Sequence, residues 1–81
     1  LRAAGHLFEA VESYDHALEL ANRIGDAEKV ALVRLSLGTT HLNRGAWLAA
    51  AASLRAALAD FQRMEHHLGA LYALYNLGET Q

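Results

Sequence analysis

Eighty-one residues without a cysteine can form one small domain, and they exclude disulfide staples and thiolate metal sites. A net charge of −2 gives no strong pull towards nucleic acid or an anionic membrane. Although 53% of the residues are apolar, no run approaches the ~20 apolar residues of a membrane helix. The longest candidate, Ala46 to Leu54, is mostly alanine and closes at Arg55. The missing cysteines fit a reducing, cytoplasmic setting, and the opening residues lack the basic-then-apolar pattern of a signal peptide. The chain opens on Leu1, so further sequence is expected upstream.

In chain order, the first apolar series is Leu7, Ala10, Val11, Tyr14, Ala17, Leu18, Ala21 and Ile24, whose steps of three and four place it on one helix face. Gly25-Asp26 predicts a stop and a restart, glycine for the left-handed C-terminal turn and aspartate as the next N-cap. A second helix is expected from Ala27 to Asn43, with Val30, Ala31, Leu35, Leu37, Gly38 and Leu42 on its apolar side. Arg44-Gly45 breaks it. The third helix is expected from Ala46 to Met64, burying Trp47, Ala50, Leu54, Ala57, Leu58 and Phe61. After a turn at Glu65-His66-His67, a fourth helix starts near Leu68 and carries Leu71, Leu74, Tyr75 and Leu77. No segment alternates with the two-residue period of a strand, so the fold class is all-α.

A shift of forty residues lays Gly5 on Gly45, Ala10 on Ala50, Ser13 on Ser53 and Ala17-Leu18 on Ala57-Leu58. It also lays Arg23 on Arg63, Leu37-Gly38 on Leu77-Gly78 and Thr40 on Thr80. The matches fall mainly on small residues and helix breaks, where close backbone approach restricts the choice. A period of this length reads as a solenoid whose units cannot bury their faces alone.

The spacing Arg34-x-x-Leu37-Gly38-x-x-His41, then Gly45, Trp47, Ala50-x-x-x-Leu54 and Ala57, resembles the tetratricopeptide repeat signature. The pattern restarts at Leu74-x-x-Leu77-Gly78-x-x-Gln81, and the opening helix supplies Gly5, Ala10-x-x-x-Tyr14 and Ala17. Arg34 and His41 stand where the signature has aromatics, and the usual proline after the second helix is missing. The chain is similar to the longer, forty-residue subclass, in which a break such as Arg23-Ile24-Gly25-Asp26 ends an extended second helix. The resemblance implies four antiparallel helices in a short right-handed superhelix. Residues 1–26 form the second helix of one repeat, 27–66 a full repeat and 67–81 the first helix of the next. Leu37, Gly38, Trp47, Ala50, Leu54, Ala57, Leu77 and Gly78 would pack the repeats. A concave groove would be lined by Leu32, Leu35, Thr39, Leu42, Asn43, Tyr72, Tyr75, Asn76 and Glu79.

The resemblance further implies a protein–protein interaction module that grips a peptide or partner helix, within a larger bacterial regulatory or scaffold chain. The arginine- and alanine-rich composition agrees with a GC-rich bacterial source. Relatives that clamp a terminal carboxylate use lysines and arginines along this surface. Leucine and tyrosine stand there in this chain, so that specificity is not expected. Leu32, Leu35, Tyr72 and Tyr75 can instead be read as packing against neighbouring repeats. An alternative function is a homo-oligomer formed through exposed terminal helices, with Leu1 to Gly5 as the stub of a missing helix. Residues 1–30 carry Glu9, Glu12, Asp15, Glu19, Asp26 and Glu28, while 31–64 carry Arg34, Arg44, Arg55 and Arg63 against Asp60. That asymmetry reads as differently solvated helix faces, or as attraction between copies.

No enzyme, cofactor or metal is expected. Adjacent helical residues such as His66 and His67 point ~100° apart, and Glu12 with His16 offers only a weak pair. Ser13, Ser36 and Ser53 lie in helices without a nucleophile elbow, and no phosphate loop is present. The acids of the first helix form a wet stripe.

Overall fold

The computed structural model describes the backbone of residues 2–80 and the side chains of residues 8–80. Four helices follow one another: α1 (Arg2–Ile24), α2 (Ala27–Asn43), α3 (Trp47–Arg63) and α4 (His67–Gly78). No strand occurs among these residues, and no helix is long and apolar enough to cross a membrane. Residues 2–5, expected as the stub of a preceding helix, continue α1 without a break, so Gly5 does not turn the chain as Gly45 does. Leu1, Gln81 and the side chain of Leu7 lie outside the described residues.

Three turns twenty residues apart set the architecture. In each, a residue with positive φ follows the helix: Gly25 at 80°, Gly45 at 77° and Glu65 at 55°. The next N–H then reaches back five residues, Asp26 to the Ala21 carbonyl, Ala46 to that of His41 and His66 to that of Phe61. Those bonds satisfy helix-end carbonyls that would otherwise have no partner. At the third turn Glu65 takes up the left-handed conformation that glycine occupies in the other two. The residues that restart the helices are less uniform. Asp26 accepts from the Lys29 N–H at 3.1 Å, and His66 Nδ1 accepts from the Gly69 N–H at 3.0 Å. Ala46 has no side chain to offer.

Connections of two or three residues make successive helices reverse direction and pack on each other. Among the described residues, α2 touches all three other helices, whereas α1 touches neither α3 nor α4. The result is a slab with extents of 39 × 30 × 17 Å, two helix layers deep. The core lies along α2 and α3, centred on Ala31, Ala57 and Phe61, with Leu35, Met64 and Ala70 against it. Close approach explains its small residues. A Cβ on Gly38 would stand 2.5 Å from Leu54 Cγ and Cδ2, and one on Gly69 would enter the Phe61 ring. Leu54 and Phe61 are fully buried, so neither can swing aside.

Asp60 is the buried acid of this core, 5% exposed. Arg34 of α2 donates to its Oδ2 at 2.6 Å, and Arg63 donates to Oδ1. Arg34 thus ties α2 to α3 by charge.

Four expectations about packing are corrected. Trp47 is exposed because it begins α3, beyond the stretch that α2 covers. Ile24 is 78% exposed, since Gly25 turns the chain away directly after it. Leu71 and Leu74 face outward, because α3 takes the side of α4 that carries Gly69 and Ala73. Gly78, expected in a packed seam, has nothing within 4 Å of where a Cβ would stand.

Candidate peptide-binding groove

Because α2 and α4 both run antiparallel to α3, their last turns arrive at the same end of the slab. Thr39, Leu42 and Asn43 from α2 and Tyr75, Asn76 and Glu79 from the end of α4 line an opening of about 310 Å³ there. Trp47, the first residue of α3, completes the wall. Its indole Nε1 lies over the turn, 3.3 Å from where a Cβ on Gly45 would stand. Helical side chains lean towards the N-terminus, so the first residue of α3 reaches back over the break that precedes it.

The polar groups of the opening are partly engaged. Thr39 donates its hydroxyl to the Leu35 carbonyl at 2.8 Å, with Ser36 O at 3.2 Å. One amide hydrogen of Asn76 goes to the Tyr72 carbonyl at 3.0 Å. Its second amide hydrogen and its carbonyl oxygen have no partner among the described residues. Trp47 is 55% exposed and Tyr75 is 69% exposed, so both keep ring surface open.

Six of the nine sequence-designated groove residues therefore line one opening. Leu35 instead packs against the Ala31–Ala57–Phe61 cluster, and Leu32 and Tyr72 are exposed outside the opening. Trp47 was assigned to helix packing, and its role in the wall is what the sequence reading missed. The adjacent Gly45 break was the available signal, since it places Trp47 at a helix start.

Two other openings are less suited to recognition. One of about 290 Å³, over the start of α2, has Asp60, Arg34 and Arg63 in its wall, already engaged with one another. The other, of about 300 Å³, is a nearly apolar trough beside Leu20, Ile24 and Val33, with no free amide to orient a ligand. Among the described residues no three metal-ligating side chains come together. His66 uses Nδ1 as a helix cap, holds Nε2 3.5 Å from Glu28 and packs on Phe61 with ring centroids 5.1 Å apart. His16 pairs with Glu19 at 3.9 Å. No protein-family model, curated protein or solved structure matches the chain.

Proposed function

We propose that this chain is a tetratricopeptide-like repeat module that holds a peptide or partner helix in the groove between α2 and α4. One observation carries the reading: exposed aromatic faces and a partly free asparagine amide share one opening at the convergence of three helix ends. Aromatic side chains supply contact area at small entropic cost, and an amide can pair with a ligand's backbone. The α1–α2–α3–α4 order of contacts is consistent with a short superhelix, and the module would serve a larger bacterial regulatory or scaffold protein. The test is selection from a random peptide library on the immobilised chain, followed by affinity measurement. Selected peptides should lose at least tenfold in affinity on Tyr75→Ala and several-fold on Asn76→Ala. Selection of peptides indifferent to both substitutions, or of none, refutes the reading.

A second reading is favoured by the outer face of α4, where Leu68, Leu71 and Leu74 are all exposed. Gly38 receives Leu54, whereas Gly78, forty residues on, faces open space. The residue forty before Leu54 is Tyr14. A second copy could dock its α1 on α4 so that Tyr14 covers Gly78, repeating the α2–α3 seam between chains. Light scattering across a hundredfold concentration range separates the two. A constant 8.8 kDa supports the free groove, and growth with concentration supports stacking.

A further inference from the structure

We infer that the partner held in the groove presents a cationic side chain, arginine above all, to Glu79, Trp47 and Tyr75. The inference rests on the groove reading and specifies the chemistry of its occupant. Among the described residues, Glu79 is the sole charged one lining the opening. Glu19 is engaged with His16 and Arg23, Glu28 with His66 and Asp60 with two arginines, while Glu9, Glu12, Asp15 and Glu65 lie outside the opening. Glu79 has no base within ion-pair distance among the described residues. Arg44, the arginine that directly follows the α2 wall, is exposed, and neither it nor His41 lines the opening.

The surroundings reinforce the sign. Two helix C-termini, of α2 and α4, end at the groove, each worth about −0.5 of a charge. The N-terminus of α3 offsets one of them, so the backbone leaves about −0.5, to which Glu79 adds a full negative charge. The last turn of α4 carries no basic residue to neutralise its end. Exposed ring faces of Trp47 and Tyr75 add the negative potential of their π-systems. A guanidinium suits this set best, because it stacks flat on an aromatic face while its edge donates to a carboxylate. The volume, about 310 Å³, is at the small end of ligand pockets, ~300–1,000 Å³, and fits one long side chain and not a cofactor. An acidic segment would meet Glu79 and the carbonyl ends with no cation to receive it.

The experiment uses three capped heptapeptides, Ala-Leu-Ser-X-Ser-Leu-Ala, with X as arginine, its neutral isostere citrulline, or glutamate. Each is titrated into the 81-residue chain, with the Trp47 indole N–H and the Asn43 and Asn76 amides followed by NMR. The arginine peptide is expected to shift those signals and to bind about fivefold more tightly than the citrulline peptide, with glutamate weaker again. Glu79→Gln should erase most of the arginine advantage while leaving the citrulline peptide unchanged. Equal affinity for arginine and citrulline, with shifts still confined to the groove, overturns the cation preference and leaves the groove standing. Shifts elsewhere, or none with any peptide, overturn the groove reading along with it.

Discussion

The same substitution at two positions forty residues apart should have opposite effects. Gly38 and Gly78 occupy matching places in α2 and α4, and alanine is intrinsically better than glycine inside a helix by ~1 kcal/mol. At Gly38 the added methyl meets Leu54 Cγ and Cδ2 at 2.5 Å, more than 1 Å inside an ordinary carbon contact of ~3.5–4.0 Å. Leu54 has no exposed surface to retreat to, so the helices must separate, at the ~1–3 kcal/mol typical of overpacking. Subtracting the propensity gain leaves Gly38→Ala destabilised by up to about 2 kcal/mol. At Gly78 nothing stands within 4 Å, and only the propensity gain remains, reduced to about 0.5 kcal/mol at a helix end. Urea unfolding followed by circular dichroism at low protein concentration measures both, with the slope of each transition checked for constancy. Equal shifts of the two midpoints in the same direction would refute the close-approach reasoning for Gly38. A destabilised Gly78→Ala would show that Gly78 is covered in solution, as stacking between copies requires.

Three further substitutions report on the turns and the buried charge. Glu65→Gly relieves a side chain held at φ 55° and should raise stability by about 1 kcal/mol, with the urea midpoint moving up accordingly. Ala46→Asp supplies the side-chain acceptor that α3 lacks at its N-cap, for a gain of about 1 kcal/mol in the same assay. Asp60→Ala removes the acceptor shared by Arg34 and Arg63 and should cost about 2 kcal/mol. Arg34 is partly exposed and can turn to water when Asp60 is removed, whereas Arg34→Ala leaves the buried carboxylate to Arg63 alone, so Arg34→Ala should cost at least as much as Asp60→Ala.

Helices and turns were legible in the sequence because their signals are local. Gly25-Asp26 specifies a left-handed residue followed by a cap, and Gly38 opposite the Ala50–Leu54 segment specifies a close seam. The turn at Glu65 carried no such mark, since its conformation follows from the Gln62 and Phe61 carbonyls, which accept from the N–H groups of Glu65 and His66. Apolar periodicity located α4 but mistook its buried side. The pattern marks apolar residues and cannot say whether a neighbour exists for Leu71 and Leu74. Gly69 was overlooked although it lies four before Ala73, a small-residue spacing that admits the Phe61 ring. Asp60 entered only as a charge count. Its place three after Ala57 and beside Phe61 put it on the buried face of α3, where only paired charge is tolerable. For the groove, the last turns of α2 and α4 were readable from the repeat register. Trp47 was not, because a large aromatic is ordinarily counted as core.

The order of helix contacts has a consequence for how the molecule opens. Among the described residues, α1 is held by α2 alone, and α4 lies at the other margin, whereas α2 and α3 share the core. Such an arrangement unravels from its margins, so amide protons of α1 and α4 should exchange through local openings that leave the middle intact. The groove bridges the margin to the middle, with walls from α4 on one side and α2 on the other. A ligand seated there ties down the helix that would otherwise open first. Its binding energy becomes local stability of α4, and occupancy of the groove becomes readable as slowed exchange along that helix.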